Sequence, residues 1–365
     1  MSQQAATPAT AQPSRRRRIV SWLVRLGITS AALAWAMSQT DFDALGSALA
    51  RVSGTAAVLS VAIFLVNLLV GAARWRVLLV AYGGKWKPPL LLLWRVYLVA
   101  LFYNTVLPAN VGGDVMRGYV TRRAFPGAAG AYLVVAIERI FGLAGIFLLA
   151  AIGLIVHPIP EISNMTVFAL AGIVVAGLAA ASPMAGRRLA PWLPGRLRTM
   201  AELLPTVRVP ALLIVVLALS VGTQTALALT GHVLLSSIDP QISLGTSIIL
   251  VPVAMAAIYA PTVGGLGARE AAFVLVFGAI GMGETDAVAA SFAMFAAQLA
   301  TALLGGLAHL IAPLPDPEEE TTPGSEHVTP HPSEPKASTA PSEARRRGES
   351  EGAPSGRGGG VGGSM

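Results

Sequence analysis

Long apolar segments alternate with short polar ones along most of this chain. The apolar segments lie at 19–38, 55–73, 129–156, 165–182, 209–235 and 286–312. Each is long enough to cross a hydrocarbon core of about 30 Å as a helix. The pattern therefore predicts an all-α fold, a polytopic membrane helix bundle with about six to eight transmembrane helices.

Two further apolar stretches, 89–107 and 244–262, are less regular. Both run into Pro/Gly-rich motifs and then into more apolar or basic sequence. Non-helical backbone at membrane depth is tolerated only where protein or a water-filled cavity satisfies its polar groups. Two interpretations stay open: both stretches cross fully, giving eight crossings, or 89–126 and 244–282 are re-entrant hairpins beside six crossings.

The distribution of Lys and Arg favours the hairpins, because cytoplasmic loops are enriched in these residues. The arm at 15–18 and the loops at 74–88 and 183–208 are basic, whereas the loops between them are acidic or nearly uncharged. A full crossing at 89–107 would put Arg122 and Arg123 outside, against this rule. We therefore expect both termini in the cytoplasm.

The two irregular stretches contain similar motifs, which predict an inverted-topology repeat. The first reads P-x-x-x-G-G-x-x-x-R and the second P-x-x-G-G-x-x-x-R. Their defining residues are Pro108, Gly112, Gly113 and Arg117, then Pro261, Gly264, Gly265 and Arg269. One hairpin would enter from each side, so that the two broken segments meet near the midplane. Chance similarity between Gly-rich turns is the alternative.

Composition divides the chain into three regions. Residues 1–18 are predicted to be a disordered basic arm, 19–312 a transmembrane domain, and 313–365 a disordered cytoplasmic tail. The part before Pro313 has 21 Lys/Arg against 10 Asp/Glu, and the tail has 5 against 9. The tail is rich in Pro, Glu, Ser, Thr and Gly, so it cannot bury enough apolar surface to offset its ordering entropy. A basic membrane domain indicates contact with anionic lipid.

Several functional classes are disfavoured by the residues that the chain lacks. It has no cysteine, so disulfides, thiol nucleophiles and Cys-type metal sites are excluded. Its histidines have no metal-ligand spacing, and no motif of a hydrolase, nucleotide-binding site or nucleic-acid-binding module is present. We expect no metal, no cofactor and no nucleic-acid partner.

The first hairpin motif offers a candidate lipid site. It contains Asn104, Pro108, Asn110, Gly112, Gly113, Asp114 and Arg117. A Gly-Gly-Asp turn before a helix would offer free backbone amides, and an Arg four residues later would add a cation for a phosphate. The alternative is an ordinary interfacial loop that caps a helix.

The second hairpin motif repeats this construction with Pro261, Gly264, Gly265, Gly267, Arg269 and Glu270. Glu270 has the alternative role of a favourable first-turn acid. Arg117 and Arg269 are predicted to bind one phosphate together.

Charged residues also interrupt the apolar span that begins near 129. Glu138 and Arg139 lie about ten residues into it, roughly 15 Å deep, where a charge is costly and indicates function. We expect Glu138 to pair with an arginine of a hairpin; a structural ion pair is the alternative. Arg74 and Arg76 are interpreted as interfacial residues that extend their charges to the cytoplasmic surface.

Four runs, in this order, resemble the lysylphosphatidylglycerol synthase transmembrane-region family, also called flippase-like domain proteins. They are FYNTVLPANVGGDVMRGYV, ERIFGLAG, PTVGGLGARE and SFAMFAAQLATALLGGL. The resemblance covers roughly 19–312. It implies a multi-pass protein of the bacterial or archaeal inner membrane, whose best-known relatives flip an aminoacylated phospholipid. Other relatives are linked to polyprenyl-linked sugar, glycolipid or hopanoid pathways.

The family motifs, carried over residue by residue, fall on the candidates already named. They are Asn104, Pro108, Gly112, Gly113, Asp114, Arg117, Glu138, Arg139, Pro261, Gly264, Gly265, Gly267, Arg269 and Glu270. The aminoacylating relatives carry a large soluble catalytic domain after the membrane part, whereas only 313–365 follows here. We therefore expect a non-enzymatic translocase of an anionic phospholipid, a polyprenyl-phosphate-linked lipid or another envelope lipid. The alternative is an accessory subunit or enzyme of lipid-linked sugar or cell-envelope biosynthesis, and a third is a scaffold for envelope-biosynthesis partners.

Overall fold

The computed structural model describes residues 42–106, 112–125, 128–159, 174, 187–192, 194–202, 206–259, 267–312 and 314. All regular structure in these residues is helical. The helices are α1 (Phe42–Ala50), α2 (Gly54–Ala81), α3 (Leu90–Val106), α4 (Gly112–Val120), α5 (Ala128–Val156), α6 (Gly195–Glu202), α7 (Ala211–Ile238), α8 (Leu244–Met255), α9 (Ala268–Gly278) and α10 (Glu284–Ile311). Single 3₁₀ turns lie at Arg122–Ala124, Ala190–Trp192 and Ala256–Tyr259.

Four of these helices, α2, α5, α7 and α10, are long and apolar enough to cross a membrane. Each has 28 or 29 residues, which corresponds to about 42 Å at 1.5 Å per residue. They match four of the six predicted crossings. The other two, 19–38 and 165–182, lie outside the described residues, as do the arm 1–18 and all of the tail except Leu314.

Apolar side chains cover the outside of the bundle, and several polar ones lie within it. Val58, Ile214 and Leu275 are among the exposed apolar residues, whereas Arg74, Glu138 and Arg269 are buried. A soluble domain has the opposite arrangement, because water would drive these apolar groups inward. The distribution therefore agrees with a protein that is surrounded by lipid.

Two pairs of shorter helices are placed between the long ones. In the first pair α3 contacts α4, and in the second α8 contacts α9. The residues that join each pair, 107–111 and 260–266, lie outside the described part. α3 also packs against α10, and α8 packs against α7 and α5. At the α3–α4 contact, a Cβ on Gly113 would overlap the carbonyl group of Ala100, so only glycine fits there.

The first helix pair begins and ends at the same end of the bundle. The amide of Lys85, before α3, donates to the carbonyl of Ala124, after α4, at 2.8 Å. The amide of Arg208 donates to the carbonyl of Ala81 at 2.7 Å, which brings the start of α7 to the same place. We call this the basic end; its charged residues are Lys85, Lys87, Arg122, Arg123 and Arg208.

The second helix pair begins and ends at the opposite end. Ile242 before α8 and Met282 after α9 belong to one apolar cluster, together with Ala48 of α1. Ser243 lies 3.4 Å from the ring of His157, and Arg51 pairs with Asp286. We call this the acidic end, because Asp43, Asp239, Glu284 and Asp286 lie there. The two helix pairs therefore enter the bundle from opposite ends.

Candidate functional site

Glu138 is the centre of a buried ion network in the middle of the bundle. It lies ten residues after the start of α5 and is 1% exposed. Its two carboxylate oxygens accept hydrogen bonds from Arg74 of α2, Tyr97 of α3 and Arg117 of α4. The carboxylate thus joins one long helix to both helices of the first pair. The prediction that Glu138 pairs with an arginine of a broken segment is confirmed by Arg117.

Arg74 is a full member of this network. It is 8% exposed, and its Nη2 and Nε atoms lie 2.9 and 3.3 Å from Glu138 Oε1. Its Nη1 atom donates to Ser220 Oγ at 3.3 Å and to Thr223 Oγ1 at 3.2 Å. The interpretation of Arg74 as an interfacial residue is therefore wrong. Arg76, two residues later, is exposed, and its interfacial position stays a prediction.

Arg117 is held between two aromatic rings. Its guanidinium carbon lies 4.4 Å from the centroid of Trp75 and 4.1 Å from that of Tyr97. One nitrogen donates to Glu138 Oε2, whereas the buried Nε atom has no partner among the described residues. Such cation–π contacts are strongest when the cation is desolvated, so they stabilise a guanidinium that is short of hydrogen bonds.

Asp114 and Arg139 extend the network to its partly exposed edge. Arg139 Nε lies 2.5 Å from Asp114 Oδ2, and Arg117 Nη1 lies 3.7 Å from Asp114 Oδ1. Glu138 and Arg139, although adjacent, thus pair with different residues, as expected for neighbours on a helix. Arg74 and Arg117 thus share the carboxylate of Glu138, and Arg117 and Arg139 share that of Asp114.

The start of α4 is capped from within the protein. The amide of Gly113 donates to Asn104 Oδ1 at 2.8 Å. Of the backbone amides predicted to face a phosphate, this one already has an acceptor. Gly112 is half-buried at the first position of the helix, and Pro108 and Asn110 lie outside the described residues.

The second helix pair carries a separate network around Glu270. Its carboxylate accepts from Arg269 Nη2 at 2.6 Å, from Ser291 Oγ at 3.1 Å and from the amide of Gly267 at 2.6 Å. Gly267 has a φ of 79°, which favours glycine, and it is the N-cap of α9. Arg269 and Glu270 are fully buried. Pro261, Gly264 and Gly265 lie outside the described residues.

The structure does not bring Arg117 and Arg269 to a common partner. Arg117 contacts Glu138, Asp114, Trp75 and Tyr97. Arg269 contacts Glu270, Ser291 and Phe295, the last with its guanidinium carbon 4.8 Å from the ring centroid. The prediction of one phosphate site built from both arginines has no support in these contacts.

A cavity of about 230 Å³ adjoins the first network. Its polar lining is provided by Asn67, Arg74, Tyr97, Thr223, Gln224 and Gln298, and the rest of its lining is apolar, including Phe64, Leu68 and Met255. Asn67, Thr223, Gln224 and Gln298 lie near the middle of α2, α7 and α10, whereas Tyr97 belongs to α3 and Met255 ends α8. The cavity therefore offers a polar space about halfway between the two ends, with Arg74 in its wall.

Sequence reasoning missed Tyr97, Gln298 and the role of Arg74. Gln224 of α7 donates to the carbonyl of Gly142 of α5 at 3.1 Å. A signal for Arg74 was present, since apolar sequence continues beyond it to Ala81. In the part of the chain that the structure describes, no three His, Asp or Glu side chains are grouped to hold a metal ion.

Comparison with known proteins identifies a family. The family model described as "Lysylphosphatidylglycerol synthase TM region" matches residues 22–306. No curated protein and no solved structure matches the chain significantly. The matched range contains both helix pairs and both ion networks, and it covers well over half of the sequence. The chain therefore belongs to the lysylphosphatidylglycerol synthase transmembrane-region family.

Proposed function

We propose that this protein moves an anionic envelope lipid between the leaflets of the inner membrane, without changing it chemically. The observation that carries the proposal is a buried ion network in which two guanidinium groups share the carboxylate of Glu138, beside a polar cavity with Arg74 in its wall. Charged groups buried in a membrane protein are costly and indicate a functional site. A phosphate group that entered the cavity would offer Arg74 a second anionic partner.

Arg74 is the residue best placed to receive the phosphate. It is the member of the network that combines a guanidinium group with a position in the cavity wall. A guanidinium binds a phosphate through two parallel hydrogen bonds, and Arg74 Nη1 now bonds only to hydroxyl groups. The phosphate would replace the two hydroxyls and compete with Glu138 for the same guanidinium.

Glu138 would return the site to its resting state. Its carboxylate holds Arg74 and Arg117 when no lipid is bound. This internal anion keeps both cations paired, so that the empty site does not bear two unpaired buried charges. It also weakens lipid binding, which lets the lipid leave on the other side. The cavity has room for a head group, while the acyl chains would stay against the apolar outside of the bundle.

We further propose six crossings and two re-entrant hairpins, with the basic end in the cytoplasm. The hydrogen bond between Lys85 and Ala124 supports a first hairpin that returns to its starting side. The cluster that contains Ile242 and Met282 supports the same for the second hairpin, from the opposite side. The enrichment of Lys and Arg at cytoplasmic loops supports the orientation. Both termini would then be cytoplasmic.

The test is transport of phosphatidylglycerol in proteoliposomes by Arg74→Gln, with Arg76→Gln as the matched control. Both variants remove one arginine from α2, but Arg76 is exposed. Loss of a hydrogen bond to a charged group, worth about 1.5–3 kcal/mol, predicts roughly 10- to 150-fold weaker binding in Arg74→Gln. Arg76→Gln should behave as wild type. Equal transport by both variants, or none by the wild-type protein, would contradict the proposal.

A further inference from the structure

The wall of the cavity carries amide groups that no described residue satisfies. Asn67 of α2 and Gln298 of α10 line the cavity, and neither makes a hydrogen bond to any residue that the structure describes. Gln298 is 6% exposed, Asn67 is half-buried, and both line the cavity. Their amides are therefore available to a group that enters it.

The chemistry of the two amides limits the group that fits. A phosphate oxygen only accepts, so it would leave the amide oxygens unpaired. A hydroxyl both donates and accepts, as an amide does, and it would satisfy both halves of each amide. An ammonium group would donate, but the lining contains no carboxylate among its described residues, and its one charged group is Arg74.

We infer that the cavity recognises a phosphodiester whose head group carries uncharged hydroxyls, a polyol or a sugar, and that Asn67 and Gln298 determine this specificity. Arg74 takes the phosphate, and the two amides take the hydroxyls. The inference rests on the proposed function. It disfavours a head group with an added ammonium, since that group would lie near Arg74 without a carboxylate partner.

Native mass spectrometry of the full chain tests this with three lipids. Phosphatidylglycerol and phosphatidylethanol have the same phosphodiester charge, but only the first carries hydroxyls on its head group. Lysyl-phosphatidylglycerol adds ammonium groups. One neutral hydrogen bond changes affinity by about 2- to 12-fold, so the wild-type protein should retain phosphatidylglycerol over phosphatidylethanol by at least about 2-fold. It should retain lysyl-phosphatidylglycerol less than phosphatidylglycerol.

Two variants assign the preference to the amides. Gln298→Met and Asn67→Leu should each reduce the preference for phosphatidylglycerol over phosphatidylethanol. Retention of phosphatidylethanol itself should stay unchanged. The control is Gln241→Met, which changes an exposed glutamine at the acidic end. If a variant fails to fold, the preference of the wild-type protein is measured without it.

The outcomes separate this inference from the proposed function. Equal retention of phosphatidylglycerol and phosphatidylethanol, with loss of both in Arg74→Gln, would overturn the inference and keep the function. Stronger retention of lysyl-phosphatidylglycerol would also overturn it. If no anionic lipid is retained at all, the proposed function fails as well.

Discussion

Replacing Glu138 with glutamine should weaken the fold and strengthen anion binding at the same time. The carboxylate receives hydrogen bonds from Arg74, Arg117 and Tyr97 and is 1% exposed. Glutamine keeps the volume of the side chain and removes its charge. Arg74 would then remain buried without a negative partner, and Arg117 would keep only Asp114, at 3.7 Å.

The size of the effect follows from this burial. Removing one partner of a buried ion pair costs about 3–5 kcal/mol, because the other charge stays uncompensated. In this variant two guanidinium groups lose the carboxylate. However, Arg74 keeps its hydrogen bonds to Ser220 and Thr223, and Arg117 keeps its contact with Asp114 at 3.7 Å. We therefore expect a loss in the free energy of unfolding of about 3–5 kcal/mol.

The assay is equilibrium unfolding in mixed micelles, with and without phosphatidylglycerol. If Glu138 competes with lipid phosphate, its removal should raise lipid affinity at least tenfold, so saturating lipid should stabilise the variant by about 1.4 kcal/mol more than wild type. The control is Glu284→Gln, which removes an exposed carboxylate at the acidic end and should change stability by no more than about 0.5 kcal/mol.

Two results would refute this reasoning. A Glu138→Gln variant as stable as the control would mean that water already compensates the arginines. A variant that is destabilised but gains no extra stability from phosphatidylglycerol would mean that Glu138 is only structural. In that case lipid phosphate would bind elsewhere.

Three further predictions follow from single contacts. Tyr97→Phe removes a hydrogen bond to a carboxylate but keeps the ring beside Arg117. Unfolding measurements should therefore show that the free energy of unfolding falls by about 1.5–3 kcal/mol. Tyr103→Phe, which removes no described hydrogen bond, is the control. Gly113→Ala should lower the free energy of unfolding by about 1–3 kcal/mol, because the added Cβ overpacks against the carbonyl of Ala100. Gly278→Ala is the control, since open space surrounds Gly278, and its effect should be far smaller. Equal losses in the two variants would contradict the close contact. Arg122→Cys, in a chain without cysteine, should react with an impermeant thiol reagent only after cell lysis, and Glu284→Cys should react in intact cells; labelling of both in intact cells would overturn the re-entrant topology.

The long helices could be predicted from the sequence because their signal is local. Twenty or so apolar residues in a row have few alternatives to a membrane helix. The interrupted segments were also predictable, since Pro and Gly mark breaks wherever they occur. The charge at Glu138 was conspicuous for the same reason, because a carboxylate ten residues into an apolar span needs a partner.

The end of α2 was predicted less well, because it depends on a contact between residues that are far apart in the sequence. The span was expected to end at residue 73 because Arg74 and Arg76 follow it. In the structure α2 continues to Ala81, because Arg74 is compensated by Glu138, 64 residues later in the chain. No local pattern distinguishes a compensated arginine from an interfacial one. Tyr97 and Gln298 escaped for a similar reason, since only the packing of α2, α3 and α10 brings them to one cavity.

The two ion networks differ in how their carboxylates are shared, and this difference suggests separate roles. Around Glu270 one carboxylate meets one guanidinium, a serine hydroxyl and a backbone amide. That network fixes the start of α9 against α10. Around Glu138 one carboxylate is shared by two guanidinium groups, one of which also lines a polar cavity. An anion that enters this cavity can compete with Glu138 for Arg74, so Glu138 and a lipid phosphate can alternate as its partner. We therefore propose that the network around Glu270 serves stability and the network around Glu138 serves transport.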